Sequence, residues 1–279
     1  PREAAKILAL LASIMALAPA VAPTLGGLMV SGLSWHWIFI AMGGYALVMA
    51  AVTAFGIPEP LKPEYRQPLR LCHLFANYRR ISTDASFIGY TLTNAAIYGG
   101  LFAFLSGASF VLIDVLGVQP EHFGFYFAAI VVGYIAGNLG SIRLARYLGP
   151  DQILFYGLVT ALAGGAIMAL LAYQQVYSPW AVMIPQAIFM AGTGLVLPQC
   201  MAGALANFPT MAGSASALFG FIQMSAAAIA GAIVGALHNG TPLVMATVIA
   251  TCAGLAMIGY LLLVQRYPAK AFETGKASA

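Results

Sequence analysis

Charge is what this chain lacks. From Ile7 to Pro58, and again from Gln152 to Gln265, there is not one Asp, Glu, Lys or Arg, in runs of 52 and 114 residues. A soluble core of that length needs a charged surface around it, whereas a bilayer centre penalises each charge by about 2.5 to 3.5 kcal/mol on insertion scales. A soluble single-domain protein is excluded and an all-α polytopic membrane protein is indicated. Cysteine is scarce as well: Cys72, Cys200 and Cys252 stand far apart without paired spacing, which argues against a disulfide framework or a metal site. No Asp, Glu, Lys, Arg or His falls near the centre of an expected span, and Asp114 sits at the outer end of one. Proton carriers, intramembrane proteases and metal enzymes need embedded ionisable groups, paired carboxylates or ligand clusters, so no proton-coupling residue, no catalysis and no cofactor are expected of these residues. A short apolar signal with a cleavage site is missing too, because Pro1 to Lys6 leads directly into a full-length span. Without an initiator Met, the sequence reads as trimmed or as a piece of a longer chain.

What is present is apolar and small: 61% of residues are hydrophobic, 7% are charged, and there are 30 glycines. Close-packed helices in lipid have that composition. At about 20 residues per span, eight helices are expected, over residues 7–33, 36–57, 86–112, 122–142, 152–173, 180–204, 213–237 and 243–265. Threading them alternately through a membrane puts all 12 basic residues on one side, and the opposite loops carry only Asp114, Glu121 and three of the four histidines. The excess of Lys and Arg marks that side as cytoplasmic, with both termini on it. The net charge of +4 is thus a matter of topology, and no nucleic-acid partner is expected.

The one long polar segment, 58–85, divides two helices from six. Pro58, Pro60, Pro63 and Pro68 disfavour a continuous helix at its start, while Leu69, Leu71, Leu74 and Phe75 among Arg70, Arg79 and Arg80 suit an amphipathic piece at the headgroups or a solvated loop. The remaining connections are short, including a tight turn at His238-Asn239-Gly240-Thr241-Pro242, and leave no room for an extramembrane domain.

Four local patterns stand out. Ala18-Pro19-Ala20-Val21-Ala22-Pro23-Thr24-Leu25-Gly26-Gly27 predicts a kinked, closely packed hinge, or else an ordinary small-residue seam, because each proline removes a backbone hydrogen bond and the glycine pair admits a neighbouring backbone. A second seam runs through Gly213 to Ala217 and on to Ala226, Ala227, Ala230, Gly231 and Gly235. Tyr90, Asn94 and Tyr98 at i, i+4, i+8 predict a shared face suited to a cavity or to interhelical bonding. Pro198-Gln199 after Gly192-Thr193-Gly194 predicts a bent helix with a freed carbonyl beside an amide, a common way of lining a binding site. Gln223, Asn138 and Gln186 are read as interhelical bonding or cavity lining, with Gln223 kept as a further cavity candidate, and Phe102, Phe104, Met190, Phe219 and Met224 as packing or as adaptable contacts for apolar ligands.

The Ala18–Gly27 stretch resembles the fifth-helix motif of drug:proton antiporters in the major facilitator superfamily, with Pro23, Gly26 and Gly27 matching and Ala18 and Ala22 where Gly is usual. Trp35-His36-Trp37-Ile38-Phe39 resembles the entry to that family's sixth helix, and Tyr98–Phe102, Phe123-Gly124, Leu197-Pro198 and Ala212–Leu218 resemble the Bcr/CflA subfamily, named for bicyclomycin and chloramphenicol resistance. Gln199 stands where that pattern has Asn. The resemblance implies a partial major facilitator fold covering helices five to twelve: residues 1–57 as the last two helices of the N-terminal half, 58–85 as the cytoplasmic central loop, 86–266 as the C-terminal six-helix bundle and 267–279 as a cytoplasmic tail. It implies efflux of small apolar or amphipathic drug-like substrates across the bacterial inner membrane, by alternating access and in exchange for protons. The lipid bilayer is the expected surround, and the complete protein is expected to be a monomer. Cavity candidates are Asn94, Tyr98, Gln199 and Gln223; hinge candidates are Pro23, Gly26 and Gly27. A non-transporting scaffold or gene remnant, and a nutrient importer of the same superfamily, remain alternatives.

Overall fold

The computed structural model describes residues 34–56 and 71–269, with Gly26, Met29 and Gly32 as isolated helical positions. The expected span over 7–33 thus lies almost wholly outside the described residues. Among the described residues there are only helices, turns and bends, and seven helices are long and apolar enough to cross a membrane. The chain forms two units, Pro1–Arg70 and Leu71–Ala279.

The described helix of the first unit, α1 (His36–Gly56), buries none of its residues. At its start Trp35 stacks on His36, ring centroids 3.8 Å apart, and meets Phe39 edge-on.

The second unit opens with α2 (Leu71–Ser82), a helix inside the polar segment 58–85. Among its described side chains Ile81 is fully buried, Phe75 is exposed, and Arg79 and Arg80 occupy the last turn. Six spans follow: α3 (Ala85–Ser109), which continues as a π-helical turn over Phe110–Val115; α4 (Pro120–Leu144); α5 (Pro150–Tyr173); α6 (Pro179–Ala206); α7 (Ala212–Ala236); and α8 (Leu243–Gly259), which also ends in a π-helical turn, Tyr260–Val264. These lie within three residues of the boundaries expected from hydropathy, once the π-helical turns are counted with α3 and α8.

Local chemistry sets the starts. Asp84 caps α3, its Oδ1 accepting the Phe87 amide hydrogen at 2.8 Å. Proline opens α4, α5 and α6, where its missing N–H would have had no helical partner anyway. The turn between α7 and α8 takes φ +74° at Gly240, and Asn239 Oδ1 accepts from both the amide and the hydroxyl of Thr241.

Packing is organised by two helices. α6 lies between α4 and α5, and α3 lies between α7 and α8, with α3 and α6 touching across the centre. Missing β-carbons permit the approach. A Cβ on Gly137 would collide with the Ala191 carbonyl of α6, and one on Gly192 would collide with the backbone of Ala161 and Gly157 on α5. On α3, Gly99 fits against Ala226 and Ala230 of α7, Gly89 against Leu263 beyond α8, and Gly100 against Phe189 of α6. Backbones drawn this close gain dispersion contacts, the main attraction available where lipid tails are as apolar as the side chains they replace.

This packing places three of the expected patterns. The helix with Pro185 and Pro198 is continuous: α6 is α-helical on both sides of each proline, with α4 and α5 on either side. Gly192 and Gly194 serve those two neighbours, Gly192 facing Ala161 of α5 and Gly194 facing the Tyr134 carbonyl of α4. The α7 seam is shorter than its composition suggests, since Ala215, Ala227 and Ala230 are buried and Gly231 meets Ser106, whereas nothing lies within 4 Å of a Cβ built on Gly213 or Gly235.

Candidate functional site

Because α5 and α8 pack behind α3 and α6, one broad face of the bundle is formed by α4, α6, α3 and α7 in that order. The four proposed cavity residues lie on three of these helices: Asn94 and Tyr98 on α3, Gln199 on α6, Gln223 on α7.

Helix pairing fixes their heights. Gly99 lies against Ala226 and Ala230, Gly100 against Phe189, and Gly203 against the Tyr90 ring. Counting along the helices from these contacts, at about 1.5 Å per residue, brings Asn94, Gln199 and Gln223 to within about one turn of the same level. Gln199 Nε2 donates to Ser141 Oγ at 2.9 Å, which adds α4 to this layer. Tyr98 lies a turn deeper, against Phe102 at a centroid separation of 5.1 Å and within electrostatic range of Tyr134 on α4.

Exposure divides the four. Asn94 is 1% exposed, and its Nδ2 has no hydrogen-bond partner. Tyr98, Gln199 and Gln223 are half-buried. The expected single face of Tyr90, Asn94 and Tyr98 is a spiral instead, because i+4 and i+8 advance by about 40° and 80° around a helix of 3.6 residues per turn. Tyr90 is therefore fully buried toward α5 and α6, while Tyr98 emerges toward α4.

Among the hinge candidates, Pro23 and Gly27 lie outside the described residues. Gly26 is helical and half-buried, and a Cβ built on it meets nothing within 4 Å. Phe104, Met190 and Phe219 belong to the buried core, as their packing reading requires, while Phe102 is half-buried and Met224 exposed. Asn138 donates to the Tyr134 carbonyl one turn back on its own helix, at 3.1 Å, instead of bonding to a neighbouring helix.

Sequence reasoning missed two polar residues that the tertiary structure brings forward, Ser141 and Asp151, and misjudged a third, Gln186. Ser141, 5% exposed, partners Gln199; the only hint was its position in a span one turn before Arg143 and Arg146. Gln186 is fully buried with neither amide atom paired, so it does not make the interhelical bond expected of it. Asp151, at the start of α5, accepts the Tyr90 hydroxyl hydrogen at 2.6 Å. Among the described residues no group of three or more His, Cys, Asp or Glu side chains is placed to hold a metal.

Lipid accounts for the outer surface. Val132, Ile142, Leu170, Ile184, Phe221, Ile229, Leu255 and Leu262 are exposed. Tyr173, Tyr177 and Trp180 stand exposed at one end of the bundle, and Tyr147 and Tyr267, near Arg143, Arg146 and Arg266, at the other. Aromatic belts at two interfaces have this arrangement.

A multi-pass helical membrane protein with an uncharged polar layer on one face of a six-helix bundle has the form of a transporter. Residues 1–232 match the model of the Major Facilitator Superfamily, and the chain belongs to that family, whose members are transporters rather than enzymes. It is 30% identical to the bicyclomycin resistance protein homolog of Haemophilus influenzae, over 95% of this chain and 66% of that protein. It is 25% identical to the chloramphenicol resistance protein CraA of Acinetobacter baumannii, over 80% of this chain and 54% of that protein, and 23% identical to multidrug resistance protein D of Escherichia coli, over 74% and 50%. These relatives are consistent with the Bcr/CflA subfamily. The chain spans between half and two thirds of the length of these curated relatives.

Proposed function

We propose that this chain is the larger part of a drug exporter that moves small apolar or amphipathic compounds out across the bacterial inner membrane by alternating access, in exchange for protons. Its spans correspond to helices five to twelve of a twelve-helix protein that works as a monomer. Residues 1–57 complete the first half, 58–85 form the central cytoplasmic loop containing α2, 86–266 form the second half and 267–279 a tail, with both termini cytoplasmic. The observation that carries this reading is the uncharged polar layer of Asn94, Gln199 and Gln223 on the α3, α4, α6, α7 face, in a chain whose relatives are named for resistance to bicyclomycin, chloramphenicol and multiple drugs.

Asn94, Tyr98 and Gln223 are the substrate contacts on this reading, and Pro23, Gly26 and Gly27 the hinge of the first half. Gln199 is committed to helix packing at one end of its amide, because Nε2 donates to Ser141. No proton carrier is assigned to these residues; the coupling group belongs to the portion of the relatives that this chain does not span.

The test is chloramphenicol resistance and efflux in a host stripped of its own exporters, with the protein completed by its first four helices. Asn94→Ala and Gln223→Ala are expected to lower resistance at unchanged protein level. Loss of abundance with resistance per molecule intact would assign these residues to packing and favour the scaffold alternative. Net accumulation of the drug in energised cells would replace export by uptake.

A further inference from the structure

Tyr90 is clamped from two sides. Its hydroxyl donates to Asp151 Oδ1 at 2.6 Å, in the range of charge-assisted O–H···O bonds, and its ring lies so close to Gly203 of α6 that a Cβ there would sit 2.6 Å from Cε1 and Cζ. The residue that accepts the bond is itself held. Tyr260, in the π-helical turn after α8, donates its hydroxyl to the Asp151 carbonyl at 3.3 Å and packs against Phe155 of α5. One turn of that segment, at Leu263 and Val264, abuts Gly89 next to Tyr90. Among the described residues the Tyr90 phenol is a side-chain donor to the Asp151 carboxylate.

A helix fixed at one residue is fixed in rotation for the next two turns. Asn94 and Tyr98 follow Tyr90 by four and eight residues, so the direction in which they project is set by where Tyr90 is held. We propose that Asp151 is a positioning residue: acting through Tyr90, it sets the rotation of α3 and thereby the orientation of Asn94 and Tyr98 on the candidate substrate face. The idea rests on the transporter reading for its meaning. The geometry of the tie can be tested without transport.

The experiment is the rate of cross-linking between Tyr98→Cys and Tyr134→Cys by a short, flexible bis-maleimide in this chain, with Cys72 replaced by Ser and the protein embedded in membranes. A protease site inserted at Gly117 separates the two cysteines, so that cross-linked molecules stay joined after cleavage. Asp151→Ala and Tyr90→Phe each remove the tie and are expected to slow cross-linking by about tenfold, the population change that loss of one charge-assisted hydrogen bond corresponds to. Asp151→Asn keeps an acceptor and is expected to stay within about threefold of the parent. Unfolding alone would not produce this rescue. Where Asp151→Ala fails to accumulate, Tyr90→Phe, which removes the hydroxyl together with every bond it makes, is compared with Asp151→Asn, which leaves the hydroxyl in place. Cross-linking at the parent rate in Tyr90→Phe or in a folded Asp151→Ala overturns the proposal, as does Asp151→Asn falling as far as Asp151→Ala. Failure of drug efflux with the cross-linking pattern intact would overturn the transport reading and leave the positioning role standing.

Discussion

Gln199 of α6 and Ser141 of α4 are joined by a 2.9 Å hydrogen bond from Nε2 to Oγ, between helices whose backbones are already in contact through Gly137, one turn before Ser141, and Ala191, two turns before Gln199. Interhelical bonds of this kind are worth about 0.6 to 2 kcal/mol inside membrane bundles.

Ser141→Ala should therefore cost about 0.5 to 1 kcal/mol of stability, measured as a shift in thermal unfolding in detergent. It also frees the Gln199 amide toward the α3, α4, α6, α7 face. In the completed transporter, Ser141→Ala is expected to change drug preference more than total activity. An unchanged preference together with an unchanged unfolding midpoint would mean the bond does not persist.

Glycines that admit a neighbouring backbone should behave unlike glycines that face open space. Gly137→Ala and Gly192→Ala push a methyl group into backbone of the adjacent helix and are expected to destabilise by about 1 to 3 kcal/mol. Gly220→Ala in α7 meets nothing within 4 Å and should be neutral or stabilising by up to about 1 kcal/mol through helix propensity. Fluorescence-detected size-exclusion after graded heating separates the two classes. Equal loss in all three variants would contradict the close approaches.

Gln186 is buried in the bundle with both amide atoms unpaired, a state that costs about 1 to 3 kcal/mol relative to a satisfied or apolar group. Gln186→Met keeps the length and removes the polar atoms, so the unfolding midpoint in detergent should rise. A lower midpoint would show that the amide is satisfied in the folded protein.

Topology gives a fourth expectation. Tyr147 and Tyr177 are exposed at opposite ends of the bundle. In a chain with Cys72 replaced by Ser, a cysteine at 177 should react with a membrane-impermeant maleimide in intact cells, and a cysteine at 147 only after permeabilisation. The reverse pattern would invert the proposed orientation, with the termini outside.

The order and approximate ends of seven of the eight expected spans were legible in the sequence, as was the turn at Gly240, because hydropathy and turn chemistry act over a few neighbouring residues. The charge asymmetry was readable for the same reason. Which side of each span faces which neighbour was not. In a soluble helix the polar face marks the outside, but α3 and α6 are apolar nearly all round, and lipid and protein interior look alike to their side chains. Steric fit and a few hydrogen bonds decide instead. Only the tertiary structure could seat the proline-bearing α6 between two tight neighbours, turn Tyr90 inward to Asp151 while Tyr98 emerges toward α4, and spend Gln199 on Ser141. Each of these pairs residues at least 36 positions apart in sequence or depends on helices that meet only after folding, where local pattern carries no information.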